Sequence, residues 1–180
     1  GQGGDISCYD PGENVHLDGI LHTTTVPARL TPALRTDAVL LAAKILNALD
    51  YVGVMGVELF VTPQGFVVNE IAPRVHNSGH WSIEGATTSQ FRNHMLAIAG
   101  RALGDTTAKY PAVAMLNVIS DETPAEKAAT IGNAFRHSYG KEARPARKLG
   151  HVTVVAADVN ERDNTIDQLA DLIPAGVWQR

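Results

Sequence analysis

The sequence predicts an α+β fold in which antiparallel strands carry packed helices, and three observations point there. Two apolar, β-branched runs, 54–61 and 66–71, flank Thr62-Pro63-Gln64-Gly65, the pattern of a hairpin. Leu34, Ala38, Leu41, Ile45 and Leu49 recur at the spacing of one helical stripe. Farther on, the strand-like runs 112–119 and 152–156 are separated by a stretch that opens on Thr123-Pro124, a helix start.

A chain of 180 residues can hold one sizeable core, or one domain with a smaller appendage. With 44% hydrophobic and 19% charged residues and a net charge of −4, it has no charge excess that would argue for a nucleic-acid or membrane surface. The single cysteine, Cys8, permits no internal disulfide, which fits a reducing cytoplasm. It is expected as a buried strand residue rather than a nucleophile. No basic-then-apolar leader opens the sequence, and no apolar run approaches membrane-spanning length.

In order, Gly1-Gln2-Gly3-Gly4 lacks a preceding strand and a following helix, so it reads as a flexible end and not as a phosphate-cradling loop. Ile6 to Tyr9 reads as a strand, and residues 14–22 as irregular chain running into a strand that ends at Val26. Thr31 caps a helix with Pro32 at its first position, ending near residues 50–53. A second helix is expected from Thr88 or Ser89 to Gly100, with Phe91, Met95 and Ile98 on one face. Residues 124–136 are expected to be helical, and Asn160 to cap a last helix carrying Ile166, Leu169 and Ile173. Val177-Trp178 reads as a short strand or tail.

The hairpin carries the chemistry. With Pro63-Gln64-Gly65 as a three-residue loop, Thr62 faces Phe66, and counting back puts Glu58 opposite Glu70 on one face of the sheet. Facing carboxylates repel, so something positive should sit between them. On the hairpin alone two readings stand: a platform for a hard divalent cation shared with substrate phosphates, or acids satisfied by solvent and a nearby Arg. Immediately beyond Glu70, the polar loop with Arg74, His76, Asn77 and His80 adds a cation, proton-transfer groups and an amide, which favours a small anionic substrate. Lys141, Arg144, Arg147 and Lys148 concentrate basic charge near the C-terminus, either as a solvated surface or as a phosphate clasp.

The run Asn69-Glu70-Ile71-Ala72-Pro73-Arg74-Val75-His76-Asn77-Ser78-Gly79-His80-Trp81, with Ser89-Gln90-Phe91 after it, resembles the 5-(carboxyamino)imidazole ribonucleotide synthases of purine biosynthesis, ligases of the ATP-grasp superfamily. Asn14-Val15-His16-Leu17-Asp18-Gly19-Ile20-Leu21 and Arg144-Pro145-Ala146-Arg147-Lys148-Leu149-Gly150-His151 are similar to two further stretches of that family, in the same order. The resemblance implies a C-terminal portion: the second half of an ATP-grasp domain in residues 1–105, and in 106–180 the remaining strand and helix elements with a small α/β or β-rich C-terminal domain. It implies that Gly1 marks a boundary or cleavage point, that the glycine-rich loop and phosphate lysine lie upstream, and that the isolated portion is inactive.

The chemistry it implies is ATP-dependent carboxylation of 5-aminoimidazole ribonucleotide with bicarbonate, activated as carboxyphosphate, releasing ADP and phosphate. Glu58 and Glu70 would hold Mg2+, or Mn2+, on the ATP phosphates; His16, Asn69 and Glu70 would contact the nucleotide. Arg74 and His76 would be catalytic, Asn77 would orient substrate, and Lys141, Arg147 and Lys148 would grip the ribonucleotide phosphate. A cytoplasmic homodimer without nucleic-acid or membrane partners is implied for the complete enzyme. The rival expectation is a non-catalytic fragment that binds metal or phosphorylated metabolites or mediates subunit contacts; a related ATP-grasp enzyme using formate fits residues 76–80 less well. One departure stands out: the family pattern expects glycine where Ala146 stands, which matters if the backbone there needs positive φ.

Overall fold

The computed structural model describes residues 1 and 3–178; Gln2, in the stretch expected to be a flexible end, lies outside them. The chain forms two compact units, Gly1–Pro11 with Arg29–Ala108 and Gly12–Ala28 with Lys109–Arg180, so it passes between them more than once. The α+β class holds: every strand pairing is antiparallel, and helices accompany both sheets.

In the first unit, α1 (Pro32–Ala48) begins as its sequence predicts, with Thr31 Oγ1 accepting from Leu34 N at 3.3 Å. Its stripe is covered unevenly: Ala38 is buried, Leu34, Leu41 and Ile45 are half-buried, and Leu49 is exposed. The hairpin comprises β3 (Gly56–Thr62) and β4 (Gly65–Ala72). Thr62 pairs with Gly65, not with Phe66 as expected, because Gly65 at φ +116° closes the turn one residue earlier. After the hairpin come a 3-10 turn at Asn77–Gly79, the short α2 (Ser82–Gly85), and α3 (Gln90–Ile98) capped by Ser89. The apolar face of α3 is the exposed one; Gln90, Asn93 and Ala97 turn inward.

Ile6–Tyr9 is not a strand. Side chains anchor it where ladder bonds were expected: Tyr9 Oη donates to the Thr88 carbonyl at 2.8 Å, and Thr106 Oγ1 to the Cys8 carbonyl at 2.8 Å. Cys8 is accordingly half-buried and outside any sheet, and burial raises its thiol pKa.

The second unit is a five-stranded sheet in the order β1 (Glu13–Leu17), β2 (Ile20–Val26), β5 (Ala112–Ile119), β7 (Lys148–Ala156), β6 (Ala134–Ser138). Residues 13–17 are thus a strand and not irregular chain; Asp18 (φ 51°) and Gly19 (φ 75°) make the two-residue hairpin turn that their Asp-Gly pair permits. The expected helix over 124–136 is also replaced. Thr123–Thr130 is a 3-10 helix burying Ala125 and Ala128, three residues apart as that geometry requires. Beyond Gly132 and Asn133 the chain joins the sheet as β6, because pairing with β7 satisfies backbone groups that a lone helix end would leave open.

The last helix, α4 (Val159–Gln168), is capped by Asp158 and not by Asn160: Asp158 Oδ1 accepts from Glu161 N at 2.8 Å, while Glu161 Oε2 accepts from Ala157 N at 2.7 Å. It packs Ile166 with Leu169 and Leu172 over Leu116, Val118, Leu149, Val152 and Val154, the core of this unit. Val177-Trp178 ends in a turn, with Trp178 Nε1 donating to Asp167 Oδ1 at 3.0 Å. Among the described residues no helix is long and apolar enough to cross a membrane.

Candidate functional site

Glu58 and Glu70 are direct partners across the hairpin, as the sequence predicts, although by a different count. The early turn shifts the register by one residue, and a bulge shifts it back: Leu59 pairs with Val68 and Glu58 with Glu70, leaving Asn69 as the extra residue. Asn69 Nδ2 donates to Glu58 Oε2 at 3.3 Å. The two acids differ in setting, Glu58 with 10% of its side chain exposed and Glu70 with 51%.

The group that meets both is His76. Its Nδ1 lies 3.9 Å from Glu58 Oε1 and its Nε2 4.0 Å from Glu70 Oε1, so one imidazole addresses two carboxylates. Nδ1 also lies 2.8 Å from Ser78 Oγ. The ring reaches this place because β3 starts on Gly56: a Cβ there would stand 2.7 Å from His76 Cβ and 2.9 Å from Cγ.

Gln90, at the start of α3, holds the loop from the other side. Its Oε1 accepts from His76 N at 2.9 Å, and its Nε2 donates to the His76 carbonyl at 2.7 Å and lies 2.8 Å from His80 Nδ1. Ser82 Oγ accepts from Gln90 N at 3.0 Å and donates to the Gly79 carbonyl at 2.6 Å, which links α2, α3 and the 3-10 turn. Asn77 opens that turn half-buried. Arg74 is exposed, and its Nη1 donates to the Val75 carbonyl at 3.0 Å.

Among the described residues no set of three or more His, Cys, Asp or Glu side chains is arranged to hold a metal ion by itself. Two facing carboxylates are nevertheless the donor set that suits Mg2+, which takes one or two protein carboxylates and completes its shell with phosphate oxygens and water. An imidazole 4.0 Å or less from each acid is compatible with such a shell and with direct charge pairing.

The remaining sequence-predicted residues belong to the second unit. His16 is exposed on β1. Burial of His22, then Lys148 and His16, lower the His22 pKa, with Asp18 opposing. Lys141 and Arg147 lie on the loop between β6 and β7, and Lys148 opens β7. Arg147 Nη1 donates to the Glu142 carbonyl at 3.4 Å, and Arg144 Nη2 to Glu142 Oε2 at 2.9 Å. Ala146 adopts φ 60°, the positive value at which the family pattern places glycine, and its N–H donates to Ser120 Oγ at 2.9 Å.

Sequence reasoning assigned no role to Gly56, Ser78 or Gln90. Ser89-Gln90-Phe91 enters only through the resemblance, and a glycine at the start of a strand carries no signal of the imidazole that needs its space.

The ATP-grasp domain profile matches residues 1–91, and the profile of the phosphoribosylaminoimidazole carboxylase C-terminal domain matches residues 113–165. Among curated relatives, the chain is 48% identical over 155 residues to the N5-carboxyaminoimidazole ribonucleotide synthase of Brucella melitensis, covering 83% of this chain and 42% of that protein. It is 38% identical over 171 residues to the Escherichia coli protein of the same name, covering 95% and 48%. The crystal structure of N5-carboxyaminoimidazole ribonucleotide synthetase from Thermus thermophilus superposes with a TM-score of 0.94 at 39% identity, over 99% of this chain and 50% of that one. The Aspergillus clavatus synthase in complex with ADP and 5-aminoimidazole ribonucleotide gives 0.85 at 38% identity, over 91% and 47%. The chain thus spans about half the length of the relatives it matches.

Proposed function

The chain belongs to the ATP-grasp family, and we propose that it supplies the metal-carboxylate hairpin and the ribonucleotide-phosphate loop of an enzyme that carboxylates 5-aminoimidazole ribonucleotide with bicarbonate, driven by ATP. The observation that carries this reading is the Glu58–Glu70 pair, returned to register by the Asn69 bulge and faced by His76. A bulge disrupts the ladder of a hairpin, and such bulges recur where they re-aim side chains for a purpose.

Glu58 and Glu70 would hold Mg2+, or Mn2+ in its place, and the bound ion would supply positive charge to the ATP phosphates during transfer of the terminal phosphoryl group to bicarbonate. Asn69 holds Glu58 in place through its amide and, with Glu70, contacts the nucleotide; a nucleotide contact for His16 rests on the resemblance alone. His76 accepts the proton released when the exocyclic amine of the ribonucleotide bonds to the carboxyl carbon of carboxyphosphate and the carbon–oxygen bond to the departing phosphate breaks; its ring nitrogens lie 3.9 Å from Glu58 Oε1 and 4.0 Å from Glu70 Oε1. Arg74, on an exposed loop, swings to the bicarbonate-derived anion, and Asn77 orients the amine substrate. Lys141, Arg147 and Lys148 bind the ribonucleotide phosphate as point charges and a fork. Homodimeric assembly and a cytoplasmic setting belong to the same proposal; the former rests on the resemblance alone, and the latter is supported by a single cysteine.

The test is a chimera in which this chain replaces the matching segment of the Brucella melitensis relative. ADP formation that requires both bicarbonate and 5-aminoimidazole ribonucleotide is expected. A folded chimera that hydrolyses ATP without regard to the ribonucleotide would refute the substrate assignment.

A further inference from the structure

The chain leaves β6 at Ser138 and reaches Lys141 through Tyr139 and Gly140, the latter at φ 61°. Tyr139 N still donates to the Leu149 carbonyl at 2.8 Å, so its backbone stays tied to β7. Its side chain is fixed as well: Tyr139 Oη lies 2.8 Å from Nδ1 of His151, which is only 2% exposed. His151 is in turn stacked on its cross-strand partner His137, with ring centroids 4.5 Å apart and planes 12° from parallel. Gly150 makes this close pairing possible, since a Cβ there would lie 2.2 Å from the His137 carbonyl oxygen.

At the outer end of this chain of contacts, Lys141 Nζ lies 5.0 Å from the Tyr139 ring centroid, within cation–π range. Lysine otherwise carries its charge on a four-carbon stem with high rotamer entropy. An exposed loop with glycine immediately before it does nothing to hold that stem. Resting on the reading of Lys141 as a phosphate-binding residue, we propose that Tyr139, anchored by His151, is a positioning residue that holds the Lys141 ammonium for the phosphate of the substrate. The sheet thus transmits order from a buried histidine to an exposed cation through one aromatic ring.

The test is an NMR titration of the chain with ribose 5-phosphate, with ribose as control, for the parent, Tyr139→Leu, Tyr139→Phe, Lys141→Ala and the double variant Tyr139→Leu/Lys141→Ala. Tyr139→Leu should weaken ribose 5-phosphate about two- to five-fold, the value of an exposed cation–π contact, and leave ribose unchanged. Tyr139→Phe, which keeps the ring and loses its anchor, should weaken it less. In the Lys141→Ala background, Tyr139→Leu should have no further effect, because a positioning residue acts only through the group it positions. An unchanged affinity in Tyr139→Leu, or the same loss without Lys141, overturns the proposal. Should Tyr139→Leu lose its dispersed amide spectrum, Tyr139→Phe measured with and without Lys141 decides in the same way. If the parent chain does not distinguish ribose 5-phosphate from ribose, the phosphate role of Lys141 fails, and the positioning role falls with it.

Discussion

Replacing Gln90 with alanine should loosen the loop that presents His76. The side chain is 3% exposed and makes three polar contacts, two to the His76 backbone and one to His80. At about 1 kcal/mol net for each hydrogen bond, with more where a buried partner is left unpaired, the loss comes to about 3 kcal/mol. Gln90→Met separates the terms: it refills the space and restores none of the bonds, so it should still cost about 2 kcal/mol. Urea unfolding followed by Trp81, which is buried in this unit, reads the change directly. A loss below about 0.5 kcal/mol for both variants would show that the loop is held by something other than Gln90, and the reasoning would be wrong.

Three further outcomes are expected. Gly56→Ala places a methyl 2.7 Å from His76 Cβ and should destabilise the first unit by about 1–3 kcal/mol in the same assay, as overpacking does. Ala146→Gly should stabilise the second unit by up to about 1 kcal/mol, since alanine at φ 60° is strained and the entropy glycine loses offsets only part of the gain; Trp178 fluorescence reports it. His22 has a lowered pKa, through burial first and then through Lys148 and His16, so its stabilising contribution is complete above the ordinary histidine value of about 6.5 and declines as pH falls through that value toward the lower folded one. Unfolding curves followed from about pH 8 downward through the ordinary histidine value of about 6.5 should show a smaller acid loss for His22→Gln than for the parent.

What the sequence made legible was local or paired. Thr31-Pro32 started α1 and Ser89 capped α3 because caps act within four residues. The Glu58–Glu70 pairing holds although the turn is one residue tighter than the sequence predicts, because the Asn69 bulge, which no alternation pattern announces, restores the register. Long-range pairing overrode local preference at 124–136, where an alanine-rich, Pro-started segment looked helical but β7 offered Ala134–Ser138 an edge to join. Asp18-Gly19 carries a local hairpin signal, the Asp-Gly pair at two positive-φ positions. The roles of Gly56 and Gln90 were not readable at all, since each depends on where His76 arrives from another part of the chain.

The central claim is that Glu58 and Glu70 act together on a metal that serves ATP. In the chimera with the Brucella melitensis relative, Glu58→Gln and Glu70→Gln should each abolish Mg2+-dependent, ribonucleotide-dependent ADP formation while the urea unfolding curve keeps its midpoint. Normal Mg2+ dependence in either variant would contradict the claim and leave the pair as structure only.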